Sequence, residues 1–163
     1  MVKKDKKKQG RIVGCIIAFI VVLIGLMVVG GAMNGWFEDE KVILSEEYIG
    51  EFTEFKTISV AEYEELINKK DSFILLVDQN GCDTADKVRG FAENWGKEEG
   101  VKVLRIMFAE MRETSLHNEI KYYPSVAVIS KGRVLGFLRA DSDEDAEKFN
   151  SYEVFKGWME GYI

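Results

Sequence analysis

The sequence has very few of the histidine and cysteine side chains that bind metals or act as nucleophiles. Its 163 residues include one histidine and two cysteines, and there is also only one proline. No cluster has the spacing of metal ligands, and no glycine-rich phosphate loop or nucleophile-elbow serine follows a strand pattern. We therefore expect no metal and no cofactor, and we interpret His117 as a solvated surface residue.

Charged side chains are absent from residues 12–37. About 20 apolar residues in a helix cross the hydrocarbon core of a bilayer, so the sequence predicts a transmembrane helix at 12–33. Residues 1–11 contain six basic residues and one acidic residue, which predicts a basic tail on the cytoplasmic side. We expect a signal anchor, with a single-pass protein in the plasma membrane and an extracytoplasmic C-terminal part. A cleaved signal peptide is the alternative, and it also exports the remainder.

Positive charge is scarce after the basic tail. Residues 12–163 contain 16 basic and 27 acidic residues. Such an excess of negative charge repels nucleic acid, which is therefore excluded as a partner. Residues 34–51 are rich in acidic side chains and lack a motif, so we interpret them as an acidic stalk before a folded domain at 52–163.

The two cysteines are predicted to lie in different environments. Cys15 lies within the apolar run, where cysteine is a small buried hydrophobe. Cys82 lies beyond the predicted membrane span, so the topology separates the two thiols. The sequence therefore predicts an unpaired thiol at Cys82 in an exported domain.

The folded part alternates strand and helix patterns in the order β-α-β-α-β-α-β-β-α. The apolar run at 73–77 is typical of a strand buried on both faces. A helical pattern starts at Asp83 and stops near 96–100, and a short helix is predicted at 112–121. A turn at 130–132 joins the last two strands into a hairpin. The order predicts an α/β fold with a mixed central sheet flanked by helices.

Two segments resemble the active site of the thioredoxin superfamily. Cys82-Asp83-Thr84-Ala85 matches the C-x-x-C motif between a strand and a helix, and the segment from Tyr123 to Ile129 resembles the cis-proline strand. The resemblance extends over residues 55–163 and implies a thioredoxin-like fold. It also implies that Cys82 is the nucleophile, that Tyr123 and Pro124 line the substrate side of the groove, and that Asp78 assists proton transfer. A turn-forming aspartate is the alternative for Asp78.

The match lacks one essential group, because Ala85 occupies the place of the second cysteine. Alanine cannot resolve a mixed disulfide, so full dithiol oxidoreductase activity is not expected. Two hypotheses remain. One is a monothiol redox or redox-accessory role on exported protein thiols. The other is a non-catalytic interaction module, an envelope or secretion accessory protein, that binds extended peptide at the Cys82/Pro124 groove.

Overall fold

A mixed five-stranded sheet organises residues 41–163, the part of the chain that this computed structural model describes. Its strands are Lys56–Thr57 (β1), Phe73–Asp78 (β2), Leu104–Met107 (β3), Ser125–Ser130 (β4) and Arg133–Phe137 (β5). Their order across the sheet is β1-β3-β2-β4-β5. β1, β3 and β2 are parallel, whereas β4 runs antiparallel to both β2 and β5. The predicted mixed sheet and C-terminal hairpin are therefore present.

The sheet has a hydrophobic core on each of its two faces. All six residues of β2 are buried, and successive side chains of a strand point to opposite faces. Ile74 and Leu76 pack into the core that contains Trp95, whereas Phe73 and Leu75 pack into the other. A central strand covered on both faces explains why 73–77 is continuously apolar.

Residues 41–163 contain four α-helices, and local sequence signals set several of their ends. They are Val60–Lys69 (α1), Asp83–Glu99 (α2), Phe108–Met111 (α3) and Tyr152–Glu160 (α4). Ser59 and Glu62 form the reciprocal hydrogen bonds of a capping box at the start of α1. α2 ends at Gly100, which has the left-handed conformation that glycine adopts without strain.

The helix predicted at 112–121 is wrong. The structure has the one-turn helix α3 and then a 3-10 segment at Ser115–Asn118. The Thr114 hydroxyl donates to the Met111 carbonyl at 2.7 Å and accepts from the Leu116 N–H at 3.2 Å. This side chain replaces backbone hydrogen bonds and interrupts the helix, as threonine does at caps and turns.

The folded unit begins earlier than the predicted boundary at residue 52. From Lys41 onward the chain packs into the same compact unit as the rest of the domain. Val42, Leu44 and Tyr48 are buried, and the Val42 N–H donates to the Tyr162 carbonyl at 2.7 Å. Residues 41–51 of the predicted stalk are thus part of the domain, because these three side chains face its core while the acidic side chains of the segment face solvent.

The predicted basic tail, the transmembrane helix at 12–33 and residues 34–40 of the stalk lie outside the described residues. Within 41–163, no helix is both long and apolar enough to cross a bilayer.

Candidate functional site

Cys82 is the N-cap residue of α2 and directly follows a tight turn. Gly81 has a φ of 74°, in the left-handed region that favours glycine, and Cys82 itself is extended. The Cys82 carbonyl accepts the Asp86 N–H at 2.9 Å, while no side-chain capping bond forms. The half-buried thiol is free. The first N–H groups of a helix lack backbone acceptors and the helix dipole favours an anion there, so this position can stabilise a thiolate.

Ala85 occupies the N3 position of α2 and is fully buried. The N-cap and N3 side chains of a helix lie close together, which is the geometry that makes a capping box. A sulfur at position 85 would therefore be within reach of Cys82. With a methyl group there, no second thiol of residues 41–163 stands beside Cys82 to displace a bound partner.

Cys82 and the Tyr123–Pro124 peptide bond line the same open groove, which we call the acidic groove. The predicted cis Tyr123–Pro124 bond is present, directly before β4. The groove has a volume of about 440 Å³, and its opposite wall is the loop between β5 and α4, including Asp141 and Asp143. The structure thus brings together three of the predicted site residues, namely Cys82, Tyr123 and Pro124.

The wall of the acidic groove is held by Asp145. Its carboxylate accepts the Arg139 N–H at 2.7 Å and a hydrogen bond from Lys148. Burial alone would raise the pKa of Asp145, but the hydrogen bonds from Lys148 and the Arg139 N–H outweigh it and lower the pKa below its usual value. The ionised form of the Asp145 carboxylate therefore stabilises this loop.

A second cleft, of about 640 Å³, lies against Cys82 and Tyr123, and we call it the cationic cleft. Its remaining lining residues are Phe108, Arg112, His117, Lys121 and Tyr122. His117 is half-buried, and its Nδ1 atom is buried without a hydrogen-bond partner among the described residues. The interpretation of His117 as a solvated surface residue is therefore wrong. Its position beside the thiol depends on the 3-10 segment that the sequence pattern did not predict.

Asp78 lines neither cleft. It is fully buried at the end of β2, where its two oxygens accept from Arg89 Nε at 2.7 Å and Nη2 at 2.9 Å. The Gln79 N–H also donates to it at 2.8 Å. The hydrogen bond to Asp78 raises the pKa of Arg89, so the guanidinium stays charged. This bidentate pair joins β2 to α2, and the proposed part of Asp78 in proton transfer stays a prediction.

The comparisons with known proteins identify the fold but no family. No protein-family model and no curated protein matches this sequence. Among solved structures, the reduced thioredoxin pre-protein of Schistosoma mansoni matches with a TM-score of 0.52 and 12% identity, over 68% of this chain and 100% of that one. The Plasmodium falciparum thioredoxin has a TM-score of 0.49 and 18% identity, over 66% of this chain and 99% of its own.

The fold assignment rests on the Schistosoma protein, whose whole length is covered. At 12% identity the likeness shows the fold and leaves the activity to be argued from the site. The described part of this chain is a thioredoxin-like α/β domain with one cysteine, Cys82, at the N-terminus of α2.

Proposed function

We propose that this chain is a membrane-anchored, extracytoplasmic thioredoxin-like protein that acts on exported protein thiols through the single thiol of Cys82. The observation that carries the proposal is the placement of Cys82 at a helix N-terminus, in a groove shared with the cis Tyr123–Pro124 bond, with alanine at position 85. The anchor and the location rest on the apolar run at 12–33 and the basic tail before it.

A single thiol can form a mixed disulfide with a client protein but cannot release that client by itself. The Cys82 thiolate attacks one sulfur of a client disulfide, a new S–S bond forms, and the other client sulfur leaves as a thiolate that takes up a proton. Because Ala85 cannot displace the client, release requires an external thiol or a second cysteine of the client. Electrons balance without any further oxidant, since one disulfide is exchanged for another.

The alternative is a non-catalytic interaction module that binds an extended segment in the same groove, as an envelope or secretion accessory protein would. One observation favours it. The carboxylate of Asp83, exposed at the first position of α2, opposes a negative charge on the adjacent thiol. Binding under this hypothesis needs the groove and not the sulfur.

Covalent trapping in cells separates the two functions. Cells expressing the tagged chain are quenched with acid and an alkylating agent, and complexes are resolved without reductant. We expect reductant-sensitive complexes with partner proteins for the wild-type chain and for Cys15→Ala, the matched control, but none for Cys82→Ser. If Cys82→Ser recovers the same partners in the same yield, the redox role is wrong and the interaction module stands.

A further inference from the structure

The two clefts that meet at Cys82 carry opposite charge. Among residues 41–163, the lining of the acidic groove includes Asp141 and Asp143 and no basic residue. The cationic cleft is lined by Arg112, His117 and Lys121, with no aspartate or glutamate from the same part of the chain. Any segment that places a residue at Cys82 and extends into both clefts would therefore meet a different charge in each.

The positive charge of the cationic cleft is not neutralised within the described residues. Arg112 forms no ion pair in 41–163, and Lys121 donates to the neutral backbone carbonyl of His117. Glu113 and Glu119, which are close in sequence, do not line the cleft. Residues 41–163 contain 16 basic and 24 acidic residues, so this cleft has the sign opposite to that of its own domain.

Aromatic rings complete the cationic cleft beside these charges. Phe108 and Tyr123 are in contact, with ring centroids 4.6 Å apart. Tyr122 and Tyr123 are 55% and 38% exposed although both are large side chains. Exposed tyrosines next to arginine are typical of surfaces that bind protein segments, since they supply contact area and hydrogen bonding at low entropic cost.

We propose that the cationic cleft binds aspartate and glutamate side chains that flank the target cysteine of a client protein on one side. This specificity rests on the proposed function only in assuming that the client cysteine lies at Cys82. Charge complementarity selects the occupant, because Arg112 and Lys121, which form no ion pair within 41–163, favour carboxylates in this cleft, and the acidic groove disfavours them.

The test measures peptide binding to a chain that lacks the Cys82 sulfur, so that no covalent bond can form. The full-length chain carrying Cys15→Ala and Cys82→Ser is purified in a non-ionic detergent. The labelled peptides have a central serine. Two of them carry a short run of glutamates, one before and one after the serine, and each has a matched peptide with glutamines in the same positions. Anisotropy titrations should show one glutamate peptide binding about 5-fold or more tightly than its glutamine match, as two exposed ion pairs supply. The preference should fall at high salt.

Charge variants locate the effect. Arg112→Gln combined with Lys121→Gln should abolish the glutamate preference, with an unchanged circular dichroism spectrum. Arg133→Gln is the matched control, because Arg133 is exposed and lines neither cleft. Equal binding of glutamate and glutamine peptides overturns the proposal. An equal loss of preference in Arg133→Gln overturns it too, since the effect would then belong to overall charge.

The outcome is independent of the redox role. A glutamate preference without covalent trapping in cells would support the proposed specificity of the cleft and contradict the proposed thiol chemistry. Trapping through Cys82 without a glutamate preference would contradict the specificity and support the thiol chemistry.

Discussion

At the scale of single residues, the Asp78–Arg89 pair fixes the start of α2, and with it Cys82, against the end of β2. Asp78 is fully buried, and Arg89 compensates its charge with two hydrogen bonds, while Arg105 Nη1 lies 3.7 Å from the same carboxylate. A buried carboxylate that loses its partner is costly, whereas a guanidinium that loses its carboxylate can hydrate when it is partly exposed. Arg89 is 24% exposed.

Removing the two partners should therefore have unequal effects. We expect Arg89→Leu to lower the free energy of unfolding by about 2–3 kcal/mol, measured by urea denaturation, because Arg105 remains 3.7 Å from the carboxylate. Asp78→Asn should cost clearly less, and adding it to Arg89→Leu should restore part of the loss. A cost below about 1 kcal/mol for Arg89→Leu would contradict this account of the pair. If Asp78→Asn folds but reacts more slowly with a disulfide, its predicted part in proton transfer gains support.

At the scale of elements, the loop between β5 and α4 is held by one ionised side chain. Asp145 accepts from the Arg139 N–H and from Lys148, and these bonds lower its pKa below the ordinary aspartate value of 3.8. A carboxyl whose pKa is lower in the folded than in the unfolded state stabilises the fold above the unfolded pKa. That contribution is lost as the pH falls through the folded pKa.

This sign predicts a pH-dependent difference between the unchanged chain and Asp145→Asn. At pH 7 the variant should be less stable by about 1–2 kcal/mol, the value of charge-assisted hydrogen bonds. The difference should shrink as the pH falls below 3.8. Urea unfolding at neutral and acidic pH measures it. A difference that stays constant or grows toward acid would contradict the role of the ionised carboxylate.

Some secondary-structure elements can be predicted from local sequence patterns alone, and others cannot. The buried strand β2 and the turn before β5 depend on neighbouring residues, and both were predicted from the sequence. The helix predicted at 112–121 failed because the Thr114 side chain competes with backbone hydrogen bonds. Residues 41–51 could not be assigned to the domain because their partners, such as Tyr162, lie more than a hundred residues away along the chain.

At the scale of the whole molecule, the site follows from the topology of the sheet. β2 delivers the chain to Cys82, and β4, its antiparallel neighbour, begins just after the cis Tyr123–Pro124 bond. The resemblance to thioredoxins was enough to predict that these three residues meet. The cationic cleft was not predictable, because Arg112, His117 and Lys121 come together through the irregular segment after α3.

The central claim is that Cys82 is a capturing thiol without a resolving partner, and one measurement tests it most directly. The purified Cys15→Ala chain is incubated with a peptide disulfide and followed by intact mass. The account predicts a one-peptide adduct on Cys82 that persists until an external thiol is added. In Cys15→Ala with Ala85→Cys, the adduct should give way to an intramolecular disulfide because position 85 is adjacent to the thiol. A folded Cys15→Ala chain that forms no adduct, while its unfolded form does, would contradict the claim.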